Sequence, residues 1–297
     1  MSEPAFNGLL VVEKPSGMTS RDVVDRAARW FPRRTRLGHT GTLDPLATGV
    51  LVLCVGAATR LTEYVQRMRK TYDAGILLGV RSDTDDADGK VQAVAGVTPP
   101  TRAQVELALR PFIGRIAQIP PAHSAAKVAG RRAYDLARQG EALDLQPREV
   151  EIDRIDIQEY EYPRLRIEVR CGKGTYIRSL ARDLGESLGC GGLIETLRRT
   201  SVGCFTTDQA VALNSDTAEV HARLLPLGSA VAGLPCTALG AEWLVQLRQG
   251  KMVSLPAPLD NAATEVAVFD ECGNLAAIAE TREGGLLQPV KVLPPRS

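Results

Sequence analysis

The chain lacks most of the signatures by which enzyme chemistry is usually recognised. No GxxxxGKS/T run is present to cradle a nucleoside phosphate, and no GxGxxG follows an apolar run to bind a dinucleotide. A GxSxG elbow is also missing, and the three histidines (His39, His123, His221) have no evident triad partner. The six cysteines (Cys54, Cys171, Cys190, Cys204, Cys236, Cys272) contain no CxxC pair, and no histidine stands at ligand spacing. That pattern excludes a zinc site and a disulfide framework; the expectation is no metal, with reduced and buried thiols in a cytosolic protein. No apolar run reaches membrane-spanning length, and the N-terminus lacks the charged-then-apolar pattern of a signal peptide. The expected protein is soluble and cytoplasmic, with no membrane partner. A net charge of +1 argues against a strongly cationic chain, and there is neither an internal repeat nor a low-complexity tract.

What is there is unevenly placed. At 297 residues the chain has length for one large domain or two ordinary ones, with globular charged and apolar fractions. Arg21, Arg26, Arg29, Arg33, Arg34 and Arg36 crowd one stretch; Lys127, Arg131, Arg132 and Arg138 form a second cluster. Such stripes on a near-neutral chain fit a polyanion footprint, although solvated helix faces give the same pattern. Next to the first cluster comes Gly38-His39-Thr40-Gly41-Thr42-Leu43-Asp44-Pro45-Leu46-Ala47-Thr48-Gly49, feeding the apolar run Val50 to Val55. A polar, glycine-punctuated loop entering a buried strand is where a scaffold presents reactive groups. Asp44 is its only carboxylate, and Pro45 biases the residue before it toward extended backbone. A plain Asx or threonine turn reads the same letters.

Periodicity organises the rest. Gly8 to Pro15 reads as a buried strand with Lys14 at its mouth. Thr19 and Asp22 make a capping box for a helix with Val24, Ala27, Ala28 and Phe31 on its apolar face, stopping before Pro32. Leu61, Tyr64, Val65 and Met68 give a second amphipathic helix, and Lys70 to Gly79 a further strand. The run Asp83 to Gly89 invites a calcium reading, but Gly89 at the sixth loop position puts Thr84 first and Ala95 twelfth, where acids are required. An acidic β-turn is expected there. Thr101 with Gln104 caps a short helix, and residues 120–147 form a proline-flanked insertion with a basic helix around Arg131 to Arg138. Strands near Val150 to Tyr160 and Leu165 to Cys171 lead into Gly172-Lys173-Gly174-Thr175-Tyr176-Ile177-Arg178, where a helix begins. Its stripe is Ile177, Leu180, Ala181, Leu184 and Leu188, and Gly189 ends it. From about Leu234 short strand-like runs alternate with turns, as in a small β-rich module.

What remains for chemistry is a loop carboxylate with candidate partners at two other strand-to-loop junctions. An arginine nearby favours the charged form of a carboxylate, which then serves as nucleophile or electrostatic stabiliser. Tyr72 and Tyr176 would give a planar substrate flat partners, although Tyr72 in a strand reads as well as a core residue. Arg178 in the first turn of a helix stands where the dipole favours acids, which points to another task.

The segments GLLVVEKPSGMTS from Gly8 to Ser20, GHTGTLDPLATGVL around Asp44, RKTYDAGILLG around Tyr72 and GKGTYIRSLARDLGE around Arg178 resemble the bacterial TruB-type tRNA pseudouridine-55 synthases. Order and rough spacing match from about Gly8 to Phe205. The resemblance implies an α+β fold: a pseudouridine-synthase-type mixed, largely antiparallel sheet flanked by helices over 1–232, then a small C-terminal β-rich, PUA-like RNA-binding domain over 233–297. It implies isomerisation of uridine to pseudouridine at position 55 in the tRNA T-loop, by base flipping, with no cofactor and no metal. Carried over by position, Asp44 matches the essential aspartate and Arg178 the arginine that pairs with it and keeps it anionic. Tyr72 matches the tyrosine that packs on the target base and is a candidate to take its C5 proton. Tyr176 matches the pocket tyrosine, His39 the histidine that contacts the tRNA loop, and Lys14 with Pro15 the motif that supports the catalytic loop. Lys14, His39, Tyr176, Lys127, Arg131 and Arg132 form the expected substrate-binding set, with 120–147 folding onto the T-arm of a tRNA bound by a monomer. Cys171-Gly172 departs from the family, where a serine is expected before Lys173, and Asp208 to Gly233 has little pattern. A non-catalytic tRNA-binding or folding protein and a guide-RNA-dependent synthase subunit are the alternatives. The intact acid, tyrosine and arginine set speaks against the first, and the long basic insertion against the second.

Overall fold

The structure is a computed structural model describing residues 6–124, 127–128, 131–132, 145–254 and 265–295, with backbone alone at 127–128 and 131–132. The apolar run at the N-terminus forms β1 (Gly8–Lys14), buried at every position but Glu13. The Thr19–Asp22 capping box starts α1 (Ser20–Ala27) as expected. Its buried face is Ser20, Val23, Val24 and Ala27; Ala28 is displaced from it because the chain tightens into a 3-10 turn that brings Trp30 inward. β2 (Leu37–His39) then leads through the glycine loop to β3 (Thr48–Val55), α2 (Thr62–Arg67) and β4 (Lys70–Leu78). β4 alternates buried and half-buried at every step, the period of a strand with one face on a core.

β5 (Val80–Arg81) and β6 (Gln92–Ala93) pair across the acidic segment, α3 (Arg102–Leu109) starts on the Thr101–Gln104 box, and β7 (Gly114–Gln118) follows. Within the insertion, β8 (Lys127–Val128) and β9 (Arg131–Arg132) pair antiparallel. Arg131 and Arg132 are therefore strand residues where the sequence suggests the start of a basic helix; Gly130, a poor helix former, stands directly before them. Arg138 and the rest of that suggested helix lie outside the described residues. β10 (Arg148–Glu161) and β11 (Arg164–Cys171) form a long hairpin that buries Leu165, Ile167, Val169 and Cys171. α4 (Ile177–Ser187) ends with Gly189 at φ 69°, and β12 (Gly192–Val202) and β13 (Phe205–Thr206) complete the sheet.

The sheet order is β1-β3-β12-β4-β11-β10-β7, with β2 on β3 and β13 on β12. Its neighbours are antiparallel except β3 and β12, which meet in parallel at Thr48↔Arg198 and Gly49↔Arg199. Gly49, at φ 97°, permits this seam: a Cβ there would fall 2.2 Å from the Arg199 carbonyl oxygen. The glycine loop thus enters the sheet at its parallel junction. Helices α3 and α4 cover one face over a core that includes Ile76, Leu165, Ile167, Leu180 and Leu184. α1 and Trp30 cover β1 and β3 elsewhere. The weakly patterned stretch from Asp208 to Gly233 supplies α5 (Thr217–Ala222) and short turns that seal these cores with Val220 and Ala230.

After it come β14 (Cys236–Ala238), α6 (Ala241–Arg248), β15 (Val253–Ser254), β16 (Glu265–Phe269), β17 (Leu275–Arg282) and β18 (Leu286–Val292). The strands make a five-stranded sheet with its own core around Leu244, Val266 and Leu287. A second side of this sheet is shared: Ala267, Leu275, Ile278 and Leu293 belong to the same core as Leu9, Val52, Leu61 and Phe205. At its edge Glu265 accepts from Tyr64 Oη at 2.7 Å and Arg67 Nη1 at 2.8 Å. Only Cys54, Cys171 and Cys190 are buried; Cys204, Cys236 and Cys272 are exposed, since they fall in turns and at the start of an outer strand. Among the described residues no helix is long and apolar enough to cross a membrane.

Candidate active site

The backbone around Asp44 is tied down from three directions. Ser20, the first residue of α1, accepts from Leu43 N at 2.8 Å and donates to Leu43 O at 3.1 Å. Lys14, at the end of β1, donates its three N–H groups to Pro15 O (2.9 Å), Pro45 O (3.2 Å) and Ala47 O (2.6 Å). Arg199 on β12 donates from Nε to Val50 O at 2.8 Å and from Nη2 to Gly41 O at 3.1 Å. A loop whose carbonyls are claimed by buried cations has few alternative shapes, and this one aims a single carboxylate. Lys14 is 0% exposed, which corrects its place among the substrate-binding residues: it holds the loop and cannot touch RNA. Burial pushes its ammonium down to about 8, against the pull of Asp44.

Arg178 reaches the same loop from the opposite side. The buried amide of Gln118 brackets Tyr176, with Nε2 donating to Tyr176 O at 3.0 Å and Oε1 accepting from Tyr176 N at 2.8 Å. That fixes the chain as it enters α4 and turns Arg178 inward. Arg178 Nε stands 2.9 Å from Asp44 Oδ2, an ion pair not aligned as a hydrogen bond. Nη1 lies 3.2 Å from Asp86 Oδ2 and donates to Thr84 O at 2.9 Å, while Nη2 donates to His123 O at 2.9 Å. One guanidinium therefore serves two carboxylates. Asp86 is itself held by Thr84 Oγ1 and Asp88 N. The acidic turn exists, but it is more than a turn: Asp86 faces Arg178, and Asp85 faces Arg182 at 2.9 Å. Two arginines four apart on one helix face were the signal that these acids had inward partners.

Burial raises the Asp44 carboxyl above its ordinary range; Arg178 opposes the rise and Asp86 adds to it. Arg178 favours the anion as expected, but its charge is shared with Asp86 and only partly offsets burial. The Asp44 side chain still keeps 34% of its surface open. β4 and β12 form the floor of the cleft it faces. Tyr72 is buried and lies directly across from Arg199 in the register. Burial raises its phenol, and the positive charge of Arg199 opposes the rise. Lys70, on the same face of β4, donates to Met68 O at 2.6 Å and to Gln66 O, and burial brings it down to about 8.

The cleft measures about 460 Å³ and is lined by Asp44, Tyr72, Tyr176 and Arg178 together with Lys70, Leu197 and Arg199, a size suited to a small planar ligand. His39 is placed beside it rather than on its wall, at the end of β2, with Nδ1 buried and unpartnered. Burial, then Arg199 and Arg21, lower its imidazole. Lys127, Arg131 and Arg132 contribute backbone to the β8–β9 pair, and their side chains lie outside what is described. Sequence reasoning missed Lys70, Asp86, Gln118 and Arg199 because each is a polar residue inside an ordinary strand or turn.

Residues 29–177 match the family described as TruB family pseudouridylate synthase (N terminal domain), and residues 178–231 match the tRNA pseudouridylate synthase B C-terminal domain. The tRNA pseudouridine synthase B of Xanthomonas campestris pv. campestris (strain B100) is 42% identical over 293 residues, covering 97% of this chain and 94% of that protein. The chain belongs to the TruB family of pseudouridylate synthases. Its likeness to the tRNA pseudouridine synthase B of Dechloromonas aromatica (strain RCB) is similar, 42% over 291 residues with 97% and 95% covered. The TruB match divides between Ile177 and Arg178, so the cleft draws Asp44, Tyr72 and Tyr176 from one part and Arg178 and Arg199 from the other. The stretch from Asp208 to Val231, obscure in sequence, falls inside the second part. A chain from a structure of an H/ACA RNP bound to a substrate RNA containing 2′-deoxyuridine has the same fold at TM-score 0.74 and 22% identity, with 98% of this chain and 86% of that one covered. A chain of an archaeal box H/ACA sRNP complex gives 0.71 at 23%, with 98% and 87% covered.

Proposed function

We propose that this TruB-family pseudouridine synthase isomerises the uridine at position 55 in the T-loop of tRNA. The observation that carries the reading is the convergence of Asp44, Tyr72 and Arg178 in one cleft from three separate segments of the chain. The reaction breaks N1–C1′, turns the uracil and rejoins it through C5, so nothing is oxidised and no group is imported. Its atoms are inaccessible in a stacked loop, and the base must be flipped out at a cost of a few kcal/mol, roughly, which contacts in the pocket offset. The Tyr72 ring supplies a flat face for the uracil, and Asp44 supplies the anionic oxygen. Its targets are C6, C1′ or the 2′ proton; a uridine deuterated at C2′ separates the last from the others, because only that route breaks the C2′–H bond. Four cations (Lys14, Lys70, Arg178, Arg199) surround two carboxylates (Asp44, Asp86), which leaves the floor two charges positive and suited to a nucleotide. Residues 1–232 act as the catalytic body, and 233–297 as a PUA-like RNA-binding part, with the basic insertion at 120–147 on the T-arm.

The test is direct. The protein is incubated with an unmodified tRNA transcript and pseudouridine is mapped, with Asp44→Asn in parallel. Conversion at the T-loop uridine by the unaltered protein alone is expected. Conversion at another position refutes the assignment to position 55, and equal conversion by Asp44→Asn refutes the role of Asp44.

A further inference from the structure

α4 begins without a local cap. α1 and α3 each start on a threonine-led capping box. Before Ile177 stands Tyr176, whose side chain makes no capping bond, and the chain reaches it through Gly174 at φ 85°. Short-range sequence therefore leaves the helix start loosely set, two residues from Arg178. What sets it is Gln118, the last residue of β7, which is 1% exposed. Its Oε1 accepts from Tyr176 N at 2.8 Å, and its Nε2 donates to Tyr176 O at 3.0 Å. Tyr176 O already accepts from Leu180 N at 3.2 Å inside the helix. Satisfying the backbone needs only an acceptor at Tyr176 N; the second bond adds orientation. The residues after Gln118 extend the grip along α4. Ile119 O accepts from Ser179 Oγ at 2.8 Å and Arg182 Nη2 at 2.9 Å, and His123 O accepts from Arg178 Nη2 at 2.9 Å. Arg178 Nε stands 2.9 Å from Asp44 Oδ2 but out of hydrogen-bond line, so a small tilt decides that pairing. A tilt of about 10° at its base moves the tip of so long a side chain by roughly 1 Å, a misplacement that costs up to about 10²-fold in rate.

We propose that Gln118 is a positioning residue for the isomerisation: its amide, clasped on the Tyr176 backbone, sets the start of α4 so that Arg178 meets Asp44. Gln118 is not one of the cleft-lining residues, and it acts only through Tyr176 and Arg178. The proposal rests on the reading of Asp44 and Arg178 as parts of the site that handles the uridine.

The test uses the full chain and reads single-turnover conversion and equilibrium binding of an unmodified tRNA transcript. Gln118→Met keeps an unbranched side chain of similar size and loses both bonds. It is expected to lower the conversion rate about 30-fold or more while tRNA affinity stays within about 3-fold. In an Arg178→Lys background the same substitution is expected to cost at least about fivefold less, because the group being positioned is gone. Gln118→Glu turns the clasp into a titratable one. Its protonated carboxyl offers the same acceptor and donor as the amide, whereas the ionised form has no donor for Tyr176 O. Burial lifts such a carboxyl above its ordinary value of about 4.3. The ratio of its rate to that of the unaltered protein is therefore expected to fall about tenfold or more from about pH 5 to about pH 9, with tRNA affinity unmoved. Equal losses from Gln118→Met in both backgrounds, a loss confined to tRNA affinity, or a ratio independent of pH overturns the proposal and leaves Gln118 a structural tie. If Gln118→Met does not fold, the Gln118→Glu ratio decides alone. Failure of Gln118→Glu to fold at about pH 5, where both bonds are on offer, also overturns it. Each of these outcomes leaves the functional reading standing; an unaltered protein that fails to convert the transcript overturns that reading, and the proposal with it.

Discussion

The cleft has cations on its floor and others on the surrounding surface, and the two sets behave differently. The surface set is the conspicuous one in sequence: Arg21 pairs with Asp25 with 76% of its side chain exposed, and Arg33 and Arg34 are exposed as well. The floor set is Lys14, Lys70, Arg178 and Arg199, each under a tenth exposed and each bound to backbone carbonyls, with Arg178 also facing two acids. An exposed ion pair is worth about 0–1 kcal/mol and is screened by salt. A buried cation bonded to buried carbonyls cannot be lost without leaving those acceptors orphaned. The crowd of arginines that catches the eye is therefore the replaceable set, and the scattered single cations are the determining one.

The contrast can be broken or sharpened by substitution. Asp44→Asn, which removes the anion the floor surrounds, is expected to lower single-turnover conversion by on the order of 10⁴-fold or more. The same variant is expected to be more stable at neutral pH, as read by Tm. The sign follows from the raised carboxyl: between its ordinary value and its folded value the native state binds the extra proton, so stability is present below that window and is lost as pH rises through it. Arg178→Lys keeps a charge but cannot serve Asp44, Asp86 and two carbonyls at once, and a rate loss of about 10²–10³-fold is expected. Lys14→Met leaves the Pro45 and Ala47 carbonyls without their donor; a destabilisation of about 2 kcal/mol or more in denaturant unfolding is expected, with slower conversion and little change in tRNA affinity.

Smaller effects test the electrostatics. The acid limb of the rate profile should lie above the ordinary carboxylate value of about 3.9, because the working form of Asp44 is ionised. Asp86→Asn removes the like charge that helps raise Asp44, so the limb should move to lower pH; an unmoved limb would show that Asp86 does not sense Asp44. Smallest of all, Arg33→Ala and Arg34→Ala should leave the rate unchanged and each flatten the salt dependence of tRNA binding by about one unit of slope, if each meets a phosphate. A surface arginine whose loss cuts the rate as deeply as a floor cation would erase the distinction.

The degree to which each part was legible follows the same division. Strands and helices with a clean period, such as β4 and α4, and helix starts with a capping box, such as those at Thr19 and Thr101, were readable because short-range physics decides them. Asp44, Tyr72, Tyr176 and Arg178 were reachable through their flanking motifs. Asp86, Gln118, Lys70 and Arg199 were not, because their meaning comes from which strand lies beside which. The parallel seam of β3 with β12 joins residues 150 positions apart, and no local pattern announces it. Lys14 shows the opposite failure: a lysine before a proline looks like a surface residue, and only the closing of the Asp44 loop over it makes it a core one.

The core shared between the first strands and the last sheet has a consequence for synthesis. Leu9, Val52 and Leu61 are made early, but their cover includes Ile278 and Leu293. Leu293 lies 87 residues beyond Thr206, where β13 ends, so at about 5–20 residues per second the ribosome needs roughly 4–17 s to supply that cover after the catalytic sheet is complete. During that interval the newborn enzyme must carry its sheet with one oily side bare.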